Sequence, residues 1–173
     1  MTIRTVLTYP DPFLRQVAEP VTGFGPCLDE LIRDMSETMW DEPGIGLAAP
    51  QIGVGLRLFV YDLEVSRDYK KVAVACNPEF VLMEGEESDS EGCLSVPDFT
   101  ADVKRAARVI MKAQDRDGEL FELDVSGLHA RVLQHENDHL NGVLFIDHIS
   151  ALKRGIYKRR IKKALAGNSG SIA

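Results

Sequence analysis

The segment Gln134-His135-Glu136-Asn137-Asp138-His139-Leu140 places two histidines at i and i+4 around a glutamate. On a helix this H-E-x-x-H spacing lets one face bind a divalent metal and holds a carboxylate beside it. At 3.6 residues per turn the two imidazoles stand about 6 Å apart, while Glu136 lies roughly 100° round the axis. Taken alone, the motif fits a solvated helix face as well as it fits a metal site. The placement of histidine shifts the balance: of four in the chain, His129, His135 and His139 fall in this stretch and His148 follows it closely.

Two histidines need a third ligand, and Cys93 in Glu91-Gly92-Cys93-Leu94-Ser95 is the best candidate. Cys27, Cys76 and Cys93 are odd in number, irregularly spaced and preceded by no secretory signal, which argues against a disulfide framework. Cys27 and Cys76 have apolar neighbours and read as buried, inert thiols. Cys93 follows Glu84, Glu86, Glu87, Asp89 and Glu91, so an exposed turn is expected there, in which a bare thiolate is disfavoured and a bound cation reverses the penalty. Cys plus two His leaves one position for water, as a catalytic centre requires.

A third segment, Gly44-Ile45-Gly46-Leu47-Ala48-Ala49-Pro50-Gln51, satisfies G-x-G-x-x-A on paper. A dinucleotide fingerprint must follow a strand and open a helix. Here a helix precedes it and Pro50 forbids a long one after it, so nucleotide binding is rejected. The glycines allow close backbone approach, and Gln51 is a neutral side chain able to donate to a carbonyl oxygen. By itself the segment matches a tight turn equally well.

In this order, G-x-G-x-A-A-x-Q, E-G-C-L-S and Q-H-E-x-D-H-L resemble the peptide deformylase family over nearly the whole chain. Tyr9-Pro10-Asp11-Pro12-Phe13-Leu14-Arg15 and Gly142-Val143-Leu144-Phe145 extend the match. The resemblance implies hydrolytic removal of the N-formyl group from chains that begin with formyl-methionine. It implies Cys93, His135 and His139 as metal ligands and Glu136 as general acid/base. It also implies Gln51 with the Leu94 backbone N–H as oxyanion donors, and a substrate pocket formed by Gly44, Ile45, Gly46, Leu128 and Val132. Ordinary core is the alternative for Leu128 and Val132. One divalent ion per chain is expected, Fe(II) first, although a Cys-His-His set also accepts zinc, nickel or cobalt. Asp138 and Arg105 resemble positions that orient the ligands, with an exposed salt bridge as the alternative. Lys104 and Asn137 depart from the commoner family pattern, and neither is a ligand.

These residues need a scaffold. Ser126 as N-cap, Leu128, Val132 and Leu140 as apolar positions and Asn141-Gly142 as a stop predict a helix over 127–140. Pro26, Leu28, Leu31, Ile32, Met35 and Met39 predict another over 27–40, and a third is expected over 150–165. Residues 56–61, 72–76 and 80–83 read as strands, and 108–113 with 120–125 as a hairpin around Asp117-Gly118. Strands that do not alternate with helices predict an α+β single domain: small antiparallel or mixed sheets packed around a central H-E-x-x-H helix, with a C-terminal helix. The expected catalytic domain spans 1–166, and 167–173 reads as a disordered tail.

At 173 residues and 45% hydrophobic content the chain suits one domain with a real core. No run approaches the roughly 20 apolar residues of a membrane span, and Met1-Thr2-Ile3-Arg4 opens no transit segment, so a cytoplasmic protein is expected. The net charge of −7 conceals an asymmetry. Lys153, Arg154, Lys158, Arg159, Arg160, Lys162 and Lys163 follow residue 148 with no acidic residue among them, so −14 before that point meets +7 after it. Ile156, Ile161 and Leu165 are expected to give this helix an apolar side. It reads either as a solvated helix on an acidic body or as a ribosome contact, the latter implied by the resemblance. Nascent formylated peptide is the expected partner, with neither DNA nor membrane. Two other readings remain at this point: a metallopeptidase with the same ligands, and an RNA-binding module with a structural metal.

Overall fold

The computed structural model describes residues 2–168. Helix α1 (Pro26–Asp41) begins on its proline, where the missing N–H removes no helical hydrogen bond, and buries Leu28, Ile32, Met35 and Met39 along one stripe. Strands β1 (Gly46–Ala48), β2 (Leu58–Tyr61), β3 (Ala73–Glu84), β6 (Arg108–Gln114) and β7 (Leu120–Ser126) form a five-stranded sheet in the order β1-β2-β3-β6-β7, every pair antiparallel. Strands β4 (Glu87–Cys93) and β5 (Val96–Arg105) form a separate antiparallel hairpin. Helix α2 (Gly127–Leu140) follows β7, and α3 (Ala151–Asn168) ends the described chain.

Period-two alternation explains why β2 is buried at every residue. Leu58 and Val60 join a core with Ile32, Met35, Met39, Val74 and Cys76 on the α1 side. Phe59 and Tyr61 point the other way, into a core with Ala75, Val109, Met111, Ala130, Leu133 and Leu140 on the α2 side. Helices thus cover both faces of the sheet. A third core, containing Val96, Val103, Phe145, Ile146, Ile149 and Tyr157, fills the space between the β4–β5 hairpin and the segments after α2. Helix α2 lies among these layers, which is the expected α+β arrangement around a central helix.

Several local expectations need correction. The two strands expected over 72–76 and 80–83 are one strand, β3, whose register shifts at Cys76/Glu79 and again at Phe80/Leu82; Asn77 between them has a positive φ of 52°. Such bulges interrupt the alternation from which strands are read. The β4–β5 hairpin carried no strand signal, because Glu87 to Ser90 are all exposed and acidic or hydroxylic. Ser126 sits at the N-cap of α2, but its side chain makes no capping hydrogen bond. Cys27 is exposed rather than buried, since it lies on the outer side of the first turn of α1; Cys76 is buried as expected. On α3 the inward face is Tyr157 with Ile161, whereas Ile156 and Leu165 are exposed. Of the expected tail, Gly167 and Asn168 extend α3, and 169–173 lie outside the described residues.

Candidate metal centre

Helix α2 and the end of β4 deliver the three candidate ligands to one point. Cys93, His135 and His139 offer ligand atoms all within 4.8 Å of one another, and Cys93 Sγ is 3.3 Å from His139 Nε2. They form the only such group of His, Cys, Asp or Glu among the described residues. Cys93 is half-buried at the last residue of β4 rather than on an exposed turn, because the chain reverses only at Leu94-Ser95 and Cys93 still pairs with Val96. The donor set fits a divalent ion: one thiol, two imidazoles and no fourth protein ligand in the group.

Glu91 organises the centre. Its Oε2 accepts from His135 Nδ1 at 2.9 Å and from Arg105 Nη2 at 2.9 Å. Its Oε1 accepts from Arg105 Nε at 2.9 Å and from Arg131 Nη1 at 2.7 Å. A carboxylate offers about four lone-pair sites, so all are used and the side chain has one arrangement. Burial alone pushes the Glu91 carboxyl up, but the hydrogen bonds from Arg105 and His135 outweigh it and hold the group ionised, well below the usual range. Occupation of His135 Nδ1 directs the other ring nitrogen towards Cys93. Burial opposes charge on His135, yet Cys93 and Glu91 raise its pKa well above the ordinary value. A cation held by the same anionic surroundings replaces that proton. His139, by contrast, is held neutral by burial and by the charge of His135, as a ligand must be.

Glu136 is buried beside the ligands, and its Oε2 has no hydrogen-bond partner among the described residues. Burial pushes its carboxyl up to about 7, with His135 opposing the rise. Such a group takes and gives a proton near neutrality. Gln51 stands in the short helix Ala49–Ile52 after β1. Its Oε1 accepts from the Ala48 N–H at 2.8 Å, which turns Nε2 towards Ser95 Oγ at 3.2 Å and Cys93 Sγ at 3.6 Å. The backbone donor thereby fixes which end of the amide faces the centre.

A cavity of about 540 Å³ opens over these groups, lined among others by Gly44, Ile45, Gly46, Gln51, Cys93, Leu94, Leu128, Val132, His135 and Glu136. All five expected pocket residues are there. Val132 is buried on its floor, and Leu128 is 60% exposed at its edge, so Leu128 is not core. Gly46 permits the close approach of strand to helix, since a β-carbon there would stand 2.9 Å from Glu136 Cδ. Phe99, Thr100 and Ser90 also line the cavity and carried no signal in the sequence, and Arg131 lines it with them. Of the acidic run before Cys93, only Glu91 is buried; its role was hidden because four exposed acids surround it. Arg131 was legible in principle, one helical turn before His135 on the same face.

The two residues expected to orient the ligands meet: Arg105 Nη1 reaches Asp138 Oδ2 at 2.6 Å, with Arg105 buried and Asp138 partly so, which differs from a fully exposed salt bridge. His129 takes no part and lies 3.3 Å from Tyr61 OH.

Residues 3–155 match the family model described as polypeptide deformylase. The chain is 52% identical over 163 residues to a peptide deformylase of Acidobacterium capsulatum, covering 94% of this chain and 96% of that one. A crystal structure of a peptide deformylase from Legionella pneumophila aligns with a TM-score of 0.88 at 48% identity, over 97% of this chain and 98% of that one. One from Ehrlichia chaffeensis in complex with actinonin gives 0.87 at 34% identity, over 95% and 98%.

Proposed function

The chain belongs to the polypeptide deformylase family and removes the N-formyl group from newly made peptides; we propose that it does so with Cys93, His135 and His139 as metal ligands and Glu136 as acid/base. The observation that carries this assignment is the convergence of the three ligand atoms within 4.8 Å beside the buried Glu136 carboxyl, whose Oε2 has no hydrogen-bond partner among the described residues. A divalent ion bound there acidifies water towards a pKa of about 7 and polarises a carbonyl oxygen. Fe(II) is our assignment for it, with zinc, nickel and cobalt compatible with the same donors.

The protein's own groups do the rest. Glu136, poised near neutrality, accepts the proton of the attacking water and delivers it to the departing amine nitrogen. The Gln51 Nε2 amide and the Leu94 backbone N–H donate to the oxygen on which charge accumulates. Gly44, Ile45 and Gly46 line one wall, and Leu128 and Val132 supply apolar surface for the methionine side chain. Formyl is the smallest acyl group, so our reading of selectivity over acetylated chains is a steric one.

We place the reaction in the cytoplasm, on nascent chains; no helix among the described residues is long and apolar enough to cross a membrane. For α3 we propose contact with ribosomal RNA. Six of its seven basic side chains are exposed, with Arg154 half-buried, and Tyr157 anchors the helix from its other face.

A panel of three peptides tests the reading: formyl-Met-Ala-Ser, acetyl-Met-Ala-Ser and an unblocked longer peptide. Formate release from the first alone supports it. Cleavage inside the unblocked peptide establishes a metallopeptidase instead.

A further inference from the structure

The hydrogen bonds that hold His135 continue beyond Glu91. Arg105 spends Nε and Nη2 on Glu91 and turns Nη1 to Asp138 Oδ2. The same Asp138 oxygen lies 2.7 Å from His148 Nε2. Five side chains are therefore linked, from His148, which meets Asp138 and stands 3.5 Å from Arg105 Nη1, through Arg105 and Glu91 to His135 Nδ1. The linkage starts in the segment between α2 and α3, crosses α2, passes the end of β5 and returns to α2.

Exposure falls along it. The side chains of His148 and Asp138 are 36% and 20% exposed, while those of Arg105 and Glu91 are 4% and 5% exposed. Asp138 faces a cleft of about 400 Å³ lined by Glu86, Lys104, Arg105, Asn137 and His148. Lys104 is engaged with Glu86 at 2.7 Å, so His148 is the group that closes the open flank of Asp138. Without it, water competes for the oxygen that fixes Arg105 Nη1, and Arg105 is the fork that sets Glu91. Networks of this kind orient metal-bound histidines and raise their basicity.

We propose that His148 is a positioning residue for the metal centre, acting through Asp138, Arg105 and Glu91 on the ring orientation of His135. The proposal rests on Cys93, His135 and His139 being the ligands. That premise has its own check: full-length protein must bind one Co(II), and Cys93→Ala must lose it.

The test is Co(II) affinity by chelator competition, with the visible Co(II) absorption recorded on the same samples. His148→Ala is expected to weaken Co(II) by about 3- to 10-fold, below the 10–100-fold typical of residues in direct contact with ligands, and to shift the absorption bands. His148→Gln, whose amide donates to Asp138 in place of the ring, is expected to restore both. A merely structural residue would change thermal stability and leave the spectrum alone. Unchanged affinity and spectrum in folded His148→Ala, or a His148→Gln variant no better than His148→Ala, overturns the proposal. If His148→Ala fails to fold, Asp138→Asn carries the same prediction, and wild-type affinity in that variant overturns it equally.

Discussion

Gly46 on β1 and Glu136 on α2 approach so closely that no side chain fits between them: a β-carbon on Gly46 would stand 2.9 Å from Glu136 Cδ and 3.1 Å from Cγ. Gly46 is thus a packing requirement of the Glu136 carboxyl. Gly46→Ala is expected to displace the carboxyl and lower kcat on the order of 10²-fold, the cost of a displacement of about 1 Å at a reacting group. Metal content should stay near one per chain, because the three atoms nearest that β-carbon all belong to Glu136 and none to a ligand. Steady-state kinetics with metal analysis on one preparation checks both.

Gln51→Ala removes the amide that faces the centre. The loss of one such donor typically lowers kcat by about 10²–10³-fold, with metal content near normal and a modest stability loss from the unpaired Ala48 N–H. Wild-type turnover in this variant would remove Gln51 from the mechanism.

Arg131→Met tests the buried ion cluster. Arg131 donates to Glu91 at 2.7 Å, to Val103 O at 2.9 Å and to Glu87 O at 2.9 Å, and Arg131 and Glu91 are both buried. Removing one member of a buried pair costs about 3–5 kcal/mol, measurable as a drop in urea midpoint. A loss within about 0.5 kcal/mol, as for surface sites, would mean that Arg105 alone holds Glu91.

Asp147 gives a pH prediction. Burial raises its carboxyl pKa, but hydrogen bonds from Arg15 and from the Leu144 N–H outweigh it, and the folded-state pKa lies below the ordinary value. A depressed folded pKa means the contribution is complete above the unfolded aspartate pKa of about 3.9 and is lost as pH falls through the lower folded value. Asp147→Asn should therefore be less stable than wild type at pH 7, and the gap should close only below about pH 4. Denaturant midpoints from pH 7 to pH 3 check this.

On the C-terminal helix the packing residue and the proposed ribosome-contacting residues are different side chains. Tyr157 packs on Phe99 at 4.7 Å between ring centroids, and Phe99 lines the cavity. Tyr157→Ala is expected to raise KM for a formylated tripeptide. Reversing Lys158, Arg159, Lys162 and Lys163 to Glu should leave tripeptide kinetics unchanged and abolish salt-sensitive ribosome binding. Ribosome binding that survives this reversal would reject the α3 contact.

The sequence made the centre more legible than the scaffold. His135, Glu136 and His139 announce themselves because helical spacing turns a chemical need into a fixed interval. Cys93 and Gln51 are named by the resemblance and by residue type, yet their geometry depends on register shifts and a backbone donor that no interval encodes. The β4–β5 hairpin was missed because its first strand is exposed along Glu87 to Ser90 and so lacks the alternation that betrays a half-buried strand. Glu91 was hidden for the same reason: burial of one acid among five is decided by Arg105 and Arg131, which lie 14 and 40 residues away. Helix α1 and the sheet core were read correctly where Leu28, Ile32, Met35 and Met39 or Leu58 to Tyr61 carry a single unbroken period.

The central claim is that Glu136 moves the proton while the three ligands hold the metal. Formate release from formyl-Met-Ala-Ser by Glu136→Ala, loaded to the same metal content as wild type, tests it most directly. The account predicts full metal content with almost no formate. A Glu136→Ala variant that releases formate at the wild-type rate would contradict it.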